Sequence, residues 1–283
     1  MYKKILFSTD FSNFSYKILK SLKKFKELGA EEIVILYVIK PIEVFFDFDI
    51  EASYWMDLKN DAESFIKKQA DEIENYGLRV KAVVKTDNTS IGIITTAQEE
   101  KCDLILIGAY GKGSDSSILG SVTESVIRES KTPVFIFKED SDLQNLIFKV
   151  LFPTDFSDCS KKAIENIISM IKMGAKEVVL LHVQDTSKLF PHLENKIEEF
   201  NEKDSARLEE IKKIFTVEKA DVKIILKTGI PSIDIINIAN EEKVNLIAIG
   251  SHGRGFVEEI FLGSVSHKVA KKSGKNVLIL NYK

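Results

Sequence analysis

Lys4-Ile-Leu-Phe-Ser-Thr-Asp-Phe-Ser12 returns later in the chain as Lys149-Val-Leu-Phe-Pro-Thr-Asp-Phe-Ser157, identical at seven of nine positions. Each stretch is a short apolar run followed by small polar residues of the kind that open a helix. The correspondence continues outward. Gly29-Ala-Glu-Glu-Ile-Val-Ile-Leu-Tyr-Val38 matches Gly174-Ala-Lys-Glu-Val-Val-Leu-Leu-His-Val183, Gly108 matches Gly250, and Gly120-Ser121-Val122 matches Gly263-Ser264-Val265. A period of about 145 residues exceeds the roughly 20–50 residues of a solenoid repeat and is the length of a whole domain. The 283 residues therefore divide into two copies, 1–142 and 143–283, with the polar stretch Glu139–Asn145 as the expected boundary.

Within the first copy, apolar runs alternate with segments of helical period. Strands are expected at Ile5–Phe7, Ile33–Ile39, Val80–Val84, Leu104–Ile107 and Val134–Phe137. Helices are expected at Phe14–Leu28, Met56–Tyr76, Ser90–Glu100 and Leu119–Glu129. Ile18, Leu22, Phe25 and Leu28 recur at helical spacing and predict one buried stripe. Strand runs without polar alternation suit a parallel sheet covered on both faces. The second copy repeats the order from Val150 to Leu280. The fold class is thus α/β, two tandem Rossmann-like doubly wound domains joined through βαβ units.

Composition narrows the function classes. With 44% hydrophobic and 29% charged residues the chain is an ordinary globular one. A net charge of −3 favours neither nucleic acid nor an anionic membrane as partner. The longest apolar run, Ile33–Ile39, is far below the roughly 20 residues that span a bilayer. Met1-Tyr2-Lys3-Lys4 leads directly into a strand, with no signal peptide expected, and Cys102 and Cys159 have neither disulfide-framework nor metal-ligand spacing. A reducing cytoplasmic location is the expectation.

Doubly wound sheets bind ligands beyond the carboxyl ends of their strands, where strand order reverses. After the first strand of the second copy stand Thr154, Asp155, Phe156 and Ser157. One reading is a helix start capped by Ser157 or Asp158. The other has the Asp155 carboxylate accepting hydrogen bonds from a nucleoside. After the fourth strand come Gly250-Ser251-His252-Gly253, nine residues, then Gly263-Ser264. Glycines allow close backbone approach, and a helix opening at Ser264 would turn its N–H groups and positive end toward the same cleft.

Both copies resemble universal stress protein (UspA-like) domains over nearly the whole chain. The family's nucleotide-binding motif, Gly-x-x-Gly, nine residues, Gly-Ser/Thr, is reproduced by Gly250, Gly253, Gly263 and Ser264. The resemblance implies five-stranded parallel sheets of order 3-2-1-4-5. It implies adenosine held by Asp155 and the Val183 backbone, with phosphates cradled by Ser264, Val265 and Ser266. Thr154, His252 and Arg254 complete the candidate set, His252 either packing in the loop or touching phosphate. The implied ligand is ATP or AMP, with Mg²⁺ held mainly through phosphates and water, since no acidic cage is visible.

The first copy departs from that motif. Gly108-Ala109-Tyr110-Gly111 precedes Gly120-Ser121 by only eight residues, and Ala109 replaces a hydroxyl-bearing residue. Its counterpart set is Asp10, Val38, Gly108, Gly111, Gly120, Ser121, Val122 and Thr123. Residues 1–142 carry 19 basic against 24 acidic side chains, and residues 143–283 carry 21 against 19. A polyphosphate is therefore expected in the second copy first. The aromatic and acidic segment Pro41–Trp55, with Phe45, Phe46, Asp47 and Asp49, reads either as a loop tucking its rings inward or as a lid or partner surface on the first cleft.

His182, His192, His252 and His267 form no metal constellation, and the charge run Glu194–Phe215 reads as the solvated face of a helix with Leu193, Ile197, Leu208 and Ile211 inward. No Walker A, Gly-x-Gly-x-x-Gly, His-Glu-x-x-His or Gly-x-Ser-x-Gly sequence occurs. The leading expectation is a stress-response module that binds adenine nucleotide. A slow ATPase or nucleotidyl transferase on the same cleft and a nucleotide-free scaffold are the alternatives. A homodimer, or a pseudo-dimer of the two copies, is a further expectation.

Overall fold

A computed structural model describes residues 2–41, 48–111, 119–139, 141–189, 196–253 and 262–281. Chain contacts separate two compact units, Tyr2–Phe135 and Ile136–Lys283. The first repeat runs β1 (Lys4–Ser8), α1 (Asn13–Glu27), β2 (Glu32–Ile39), α2 (Phe48–Glu74), β3 (Arg79–Thr86), α3 (Thr89–Glu99), β4 (Leu104–Gly108), α4 (Ser121–Glu129) and β5 (Val134–Phe137). Its strands take the order β3-β2-β1-β4-β5. β1 lies between β2 and β4 in parallel, with Phe7 opposite Ile35 on one side and Leu106 on the other. Ile5, Leu6 and Phe7 are all fully buried, because helices cover both faces of the sheet.

The second repeat runs β6 (Lys149–Pro153), α5 (Asp158–Lys172), β7 (Glu177–Asp185), the single turn α6 (Thr186–Leu189), α7 (Ile197–Val217), β8 (Asp221–Gly229), α8 (Pro231–Glu241), β9 (Leu246–Gly250), α9 (Ser264–Lys272) and β10 (Asn276–Leu280). The order β8-β7-β6-β9-β10 reproduces the first sheet. Val150 pairs with Val178 of β7 and with Leu246 of β9, so β6 and β9 are neighbours. Each domain is a doubly wound α/β unit of order 3-2-1-4-5. The first and fourth strands end side by side, which places both candidate loops on one rim.

Local chemistry explains the element ends. Ser12 caps α1 by accepting from the Ser15 N–H, and Phe14, Ile18, Leu22 and Phe25 bury one stripe. Leu28, expected in that stripe, is half-buried at the C-cap, where Gly29 (φ 97°) takes the left-handed turn. Gly174 (φ 118°) ends α5 in the same way. Burying a large side chain such as Phe7 or Phe152 contributes about 1.5–3 kcal/mol each.

Three sequence expectations are corrected. α2 begins at Phe48 rather than Met56, so much of the aromatic and acidic segment is helical. A search for apolar period does not register a stretch that mixes aromatic and acidic residues as this one does. Phe45, Phe46 and Asp47 lie outside the described residues. α4 begins at Ser121, because Gly120 is its N-cap and Leu119 precedes it. The outer strands β3 and β8 carry half-exposed positions and basic side chains such as Lys81, Lys85, Lys223 and Lys227, as strands with one unpaired side often do.

Candidate functional site

Beyond β6 the chain makes a tight polar turn. The Thr154 N–H donates to the Leu181 carbonyl at 2.8 Å, the last tie to the sheet. Phe156 then takes φ 62°, an uncommon conformation for a bulky residue. Side chains hold it there. Thr154 Oγ1 accepts from the Phe156 N–H at 3.1 Å, and Asp155 Oδ1 accepts from the Ser157 N–H at 3.1 Å and the Ser160 hydroxyl at 2.6 Å. Ser157 caps α5 by accepting from the Ser160 N–H, whereas Asp158 pairs with Lys161 in solvent at 3.0 Å. The capping reading therefore belongs to Ser157, and Asp155 has a separate role.

That role is set by Gly253. A Cβ built on Gly253 would stand 2.5 Å from Asp155 Oδ2, so the carboxylate faces the glycine backbone across the cleft. Gly250 is also constrained, though less, because a Cβ there would lie 3.0 Å from Cys159 Sγ on α5. The Ser266 hydroxyl donates to the Gly250 carbonyl at 2.6 Å, and the Gly263 N–H donates to the Ser251 carbonyl at 2.6 Å. These two bonds tie the mouth of α9 to the loop after β9. Ser251 Oγ and His252 Nδ1 are 2.8 Å apart, and both residues are buried.

α9 starts at Ser264 behind Gly263, with no side-chain cap and no acidic residue in its first turn. Ser264, Val265 and Ser266 thus present backbone N–H groups that have no partner within the helix, at its positive end. The Ser266 side chain is committed to Gly250, so any anion contact there would come from backbone. Val183 is a buried residue of β7. Arg254 lies outside the described residues.

The first domain repeats half of this geometry. Phe11 takes φ 57°, Thr9 Oγ1 accepts from its N–H at 3.2 Å, and Asp10 Oδ1 accepts from the Ser12 N–H at 3.0 Å and the Ser15 hydroxyl at 2.7 Å. A Cβ on Gly111 would lie 3.3 Å from Asp10 Oδ2. Thr123 donates to the Gly108 carbonyl at 2.7 Å, as Ser266 does to Gly250. Gly120, Ser121 and Val122 form the mouth of α4, and Val38 is buried in β2.

The differences are chemical. Phe14 stands where Cys159 does, close enough to meet a Cβ on Gly108 at 2.9 Å, and Tyr110 stacks on it at 5.3 Å. The first turn of α4 carries Glu124 where α9 has His267. Glu124, which the motif comparison overlooked, opposes an anion at that helix end. Ala109 also takes on a different meaning. Its counterpart Ser251 is fully buried and bonded to His252, so the lost hydroxyl is internal to the loop.

Sequence reading missed a buried polar cluster beneath the second site. His182 Nδ1 lies 2.7 Å from the Thr154 carbonyl, and its Nε2 lies 3.4 Å from Asp204 Oδ2. Asp204 also accepts from Gln184 Nε2 at 3.0 Å and from Arg207 Nη1 at 3.4 Å. Asp204 belongs to the segment expected to be a solvated face, yet it is buried. Its spacing to Leu208, Ile211 and Phe215 is the signal that places it on the inward stripe of α7. Among the described residues no group of three or more His, Cys, Asp or Glu side chains converges as metal ligands.

Comparison with known proteins follows the same lines. The profile of the universal stress protein family matches residues 1–138 and again 147–281. A universal stress protein of Methanocaldococcus jannaschii is 36% identical over 154 residues, which cover 48% of this chain and 95% of that protein. One of Bacillus subtilis is 34% identical over 144 residues, covering 47% and 97%. The crystal structure of a universal stress protein from Archaeoglobus fulgidus superposes with a TM-score of 0.76 at 28% identity, covering 98% of this chain and 95% of that one. The chain belongs to the universal stress protein family and carries two of its domains in tandem.

Proposed function

We propose that the second domain binds an adenine nucleotide, ATP or AMP, and that the protein acts as a regulatory binding module rather than an enzyme. The observation that carries this reading is the placement of Asp155 Oδ2 against Gly253, which brings a carboxylate from the loop after β6 to the glycine backbone after β9. In this reading Thr154, Asp155 and the Val183 backbone take the nucleoside. Gly250, Gly253 and Gly263 let the backbone close on the phosphates, which the N–H groups of Ser264, Val265 and Ser266 receive. Mg²⁺ would enter with the phosphates and their water. Binding is favoured over hydrolysis because His252, the imidazole of the glycine loop, is buried against Ser251.

Thermal unfolding with increasing ATP or AMP tests the proposal. Ligand at about 100 times its dissociation constant stabilises the bound state by roughly 2.7 kcal/mol, a rise of several degrees in melting temperature. An unchanged melting temperature with both nucleotides at millimolar concentration contradicts it.

A further inference from the structure

The turn that presents Asp155 is held from below by the His182 cluster, and the first domain holds the same turn by other means. In the second domain the Phe156 ring packs on His182 at 4.5 Å, and the Arg207 guanidinium lies over that ring at 5.3 Å. In the first, Phe11 packs on Tyr37 at 4.3 Å and on Phe65 at 5.6 Å. Tyr37 thus stands for His182 and Phe65 for Arg207. Ala62, buried and three residues before Phe65, stands for Asp204, three before Arg207. Strand register matches Ile39 with Thr86 and Gln184 with Thr228, so Ile39 stands for Gln184. One domain uses an apolar and aromatic support where the other uses a charged one.

Two acceptors flank the His182 ring. A backbone carbonyl only accepts, so Nδ1 must carry a proton to bond Thr154 at 2.7 Å. Nε2 faces a carboxylate oxygen at 3.4 Å. A neutral imidazole has one N–H for these two acceptors, whereas an imidazolium has one for each. Among the described residues the ring meets the Thr154 carbonyl and Phe156 from the β6–α5 turn and Asp204 from α7. Asp204 is held in turn by Arg207 of α7 and by Gln184 of β7, which Thr228 of β8 bonds. Asp204 is the carboxylate that faces the ring, and Arg207 shares it. Lys227 of β8 is engaged by Asp234 at 2.8 Å.

We propose that His182, held as an imidazolium by Asp204, is a positioning residue that fixes the Thr154–Phe156 turn and makes ligand binding in the second domain depend on pH. When the ring loses its second proton it can keep Thr154 or Asp204, not both. Whichever nitrogen keeps the remaining proton, the ring then turns a lone pair toward the Asp204 carboxylate or the Thr154 carbonyl, and that repulsion loosens the turn that aims Asp155 at Gly253. Affinity is then greatest with the ring protonated and declines as pH rises through its titration. The first domain has no such dependence, because burial, followed by the charge of Asp10, pushes the Tyr37 phenol up and away from the neutral range.

This inference rests on the nucleotide reading, and the experiment separates the two. Calorimetric titration of the full chain with ATP is run from pH 5.5 to 8.5 on wild type, His182→Gln and Asp204→Asn. A fourth protein, His182→Tyr with Gln184→Ile, Asp204→Ala and Arg207→Phe, copies the support with which the first domain folds. Nitrogen-15 imidazole spectra follow ring protonation, assigned by the signal that His182→Gln removes. Wild-type affinity should fall by up to about tenfold per pH unit where the ring titrates, the limit for one coupled proton. The four-residue variant should bind with only the pH slope of ATP itself, and Asp204→Asn should move the His182 titration to lower pH. Wild-type binding with the same pH slope as the four-residue variant overturns the positioning role and leaves the nucleotide reading standing. A ring already neutral at pH 6, or unmoved by Asp204→Asn, overturns it as well. Absence of ATP binding by wild type at every pH overturns the nucleotide reading and the positioning role with it.

Discussion

Asp155 Oδ2 and Gly253 are in such close apposition that a Cβ on the glycine would lie 2.5 Å from the carboxylate oxygen. Gly253→Ala therefore displaces Asp155 or the loop, while Oδ1 remains tied to Ser157 and Ser160. Since a hydrogen bond to a charged group contributes about 1.5–3 kcal/mol, ATP affinity should drop by roughly tenfold to a hundredfold. Calorimetry reads this effect. An alanine variant that binds ATP like wild type would show that the carboxylate does not act from this position.

Gly263 has φ −67°, an angle open to any residue, so its glycine requirement is spatial and not conformational. A Cβ there would meet the Ser251 carbonyl oxygen at 3.2 Å. Gly263→Ala should be nearly tolerated, with a loss of about 1 kcal/mol in stability. Gly263→Val adds branches at the helix mouth and should abolish ATP binding while circular dichroism still reports a folded chain. Full ATP affinity in a folded valine variant would reduce this glycine to a turn element.

The fold was legible from a few residues because the repeat doubles every signal. Ile5–Phe7 and Val150–Phe152 read as strands twice, and the glycines at 29 and 174 end helices twice. The strand order that the family resemblance implies also put the loops of Asp155 and Gly253 on one rim, because strands one and four are neighbours in this topology. Their close apposition was not foreseen. What stayed hidden depends on three-dimensional neighbours. Asp204 sits in a charge-rich helix, where one buried carboxylate looks like its exposed companions until the stripe through Leu208 and Phe215 is followed. The hydroxyl that Ala109 replaces counted against the first site because a sequence does not tell a hydroxyl facing a cleft from one turned into the loop, as that of Ser251 is. The start of α2 was missed because its first residues mix aromatic and acidic types without an apolar period.

Paired lysine–carboxylate clusters close the amino ends of both sheets. Lys223 bonds Glu242 at 2.6 Å and Lys149 reaches it at 3.3 Å, as Lys81 and Lys4 do with Glu100. The hydrogen bond from Lys223, with that from Lys149, holds the Glu242 carboxyl below its ordinary range against the opposing effect of burial. A group with a depressed folded value stabilises above its unfolded value, about 4.3 for glutamate, and loses that contribution as pH falls through the folded value. Glu242→Gln should therefore cost up to about 1 kcal/mol at pH 7 and progressively less on acidification to pH 3. Denaturant unfolding of both proteins at the two pH values measures it, and a gap that widens in acid contradicts the assignment.

The two clefts should differ in ATP affinity, with one tight site per chain, in the second domain. Asp10 and Asp155 are held alike, so the carboxylate end does not make the difference. The phosphate end does. Glu124 occupies the first turn of α4 and adds negative charge where α9 has none, and the Phe14–Tyr110 stack fills the region that Cys159 and His252 line in the second domain. A charge at a helix end contributes about 0.3–1 kcal/mol, and more when partly buried. Repulsion there adds to the loss of charge-assisted bonds from the shortened loop, each about 1.5–3 kcal/mol. Together these weaken the first site by about a hundredfold or more. Calorimetry should give a stoichiometry near one, abolished by Asp155→Ala and unaltered by Asp10→Ala. Glu124→His, which copies His267, should strengthen any second, weaker phase. Two sites of equal affinity in wild type, or loss of binding through Asp10→Ala alone, would assign the phosphate end a different determinant.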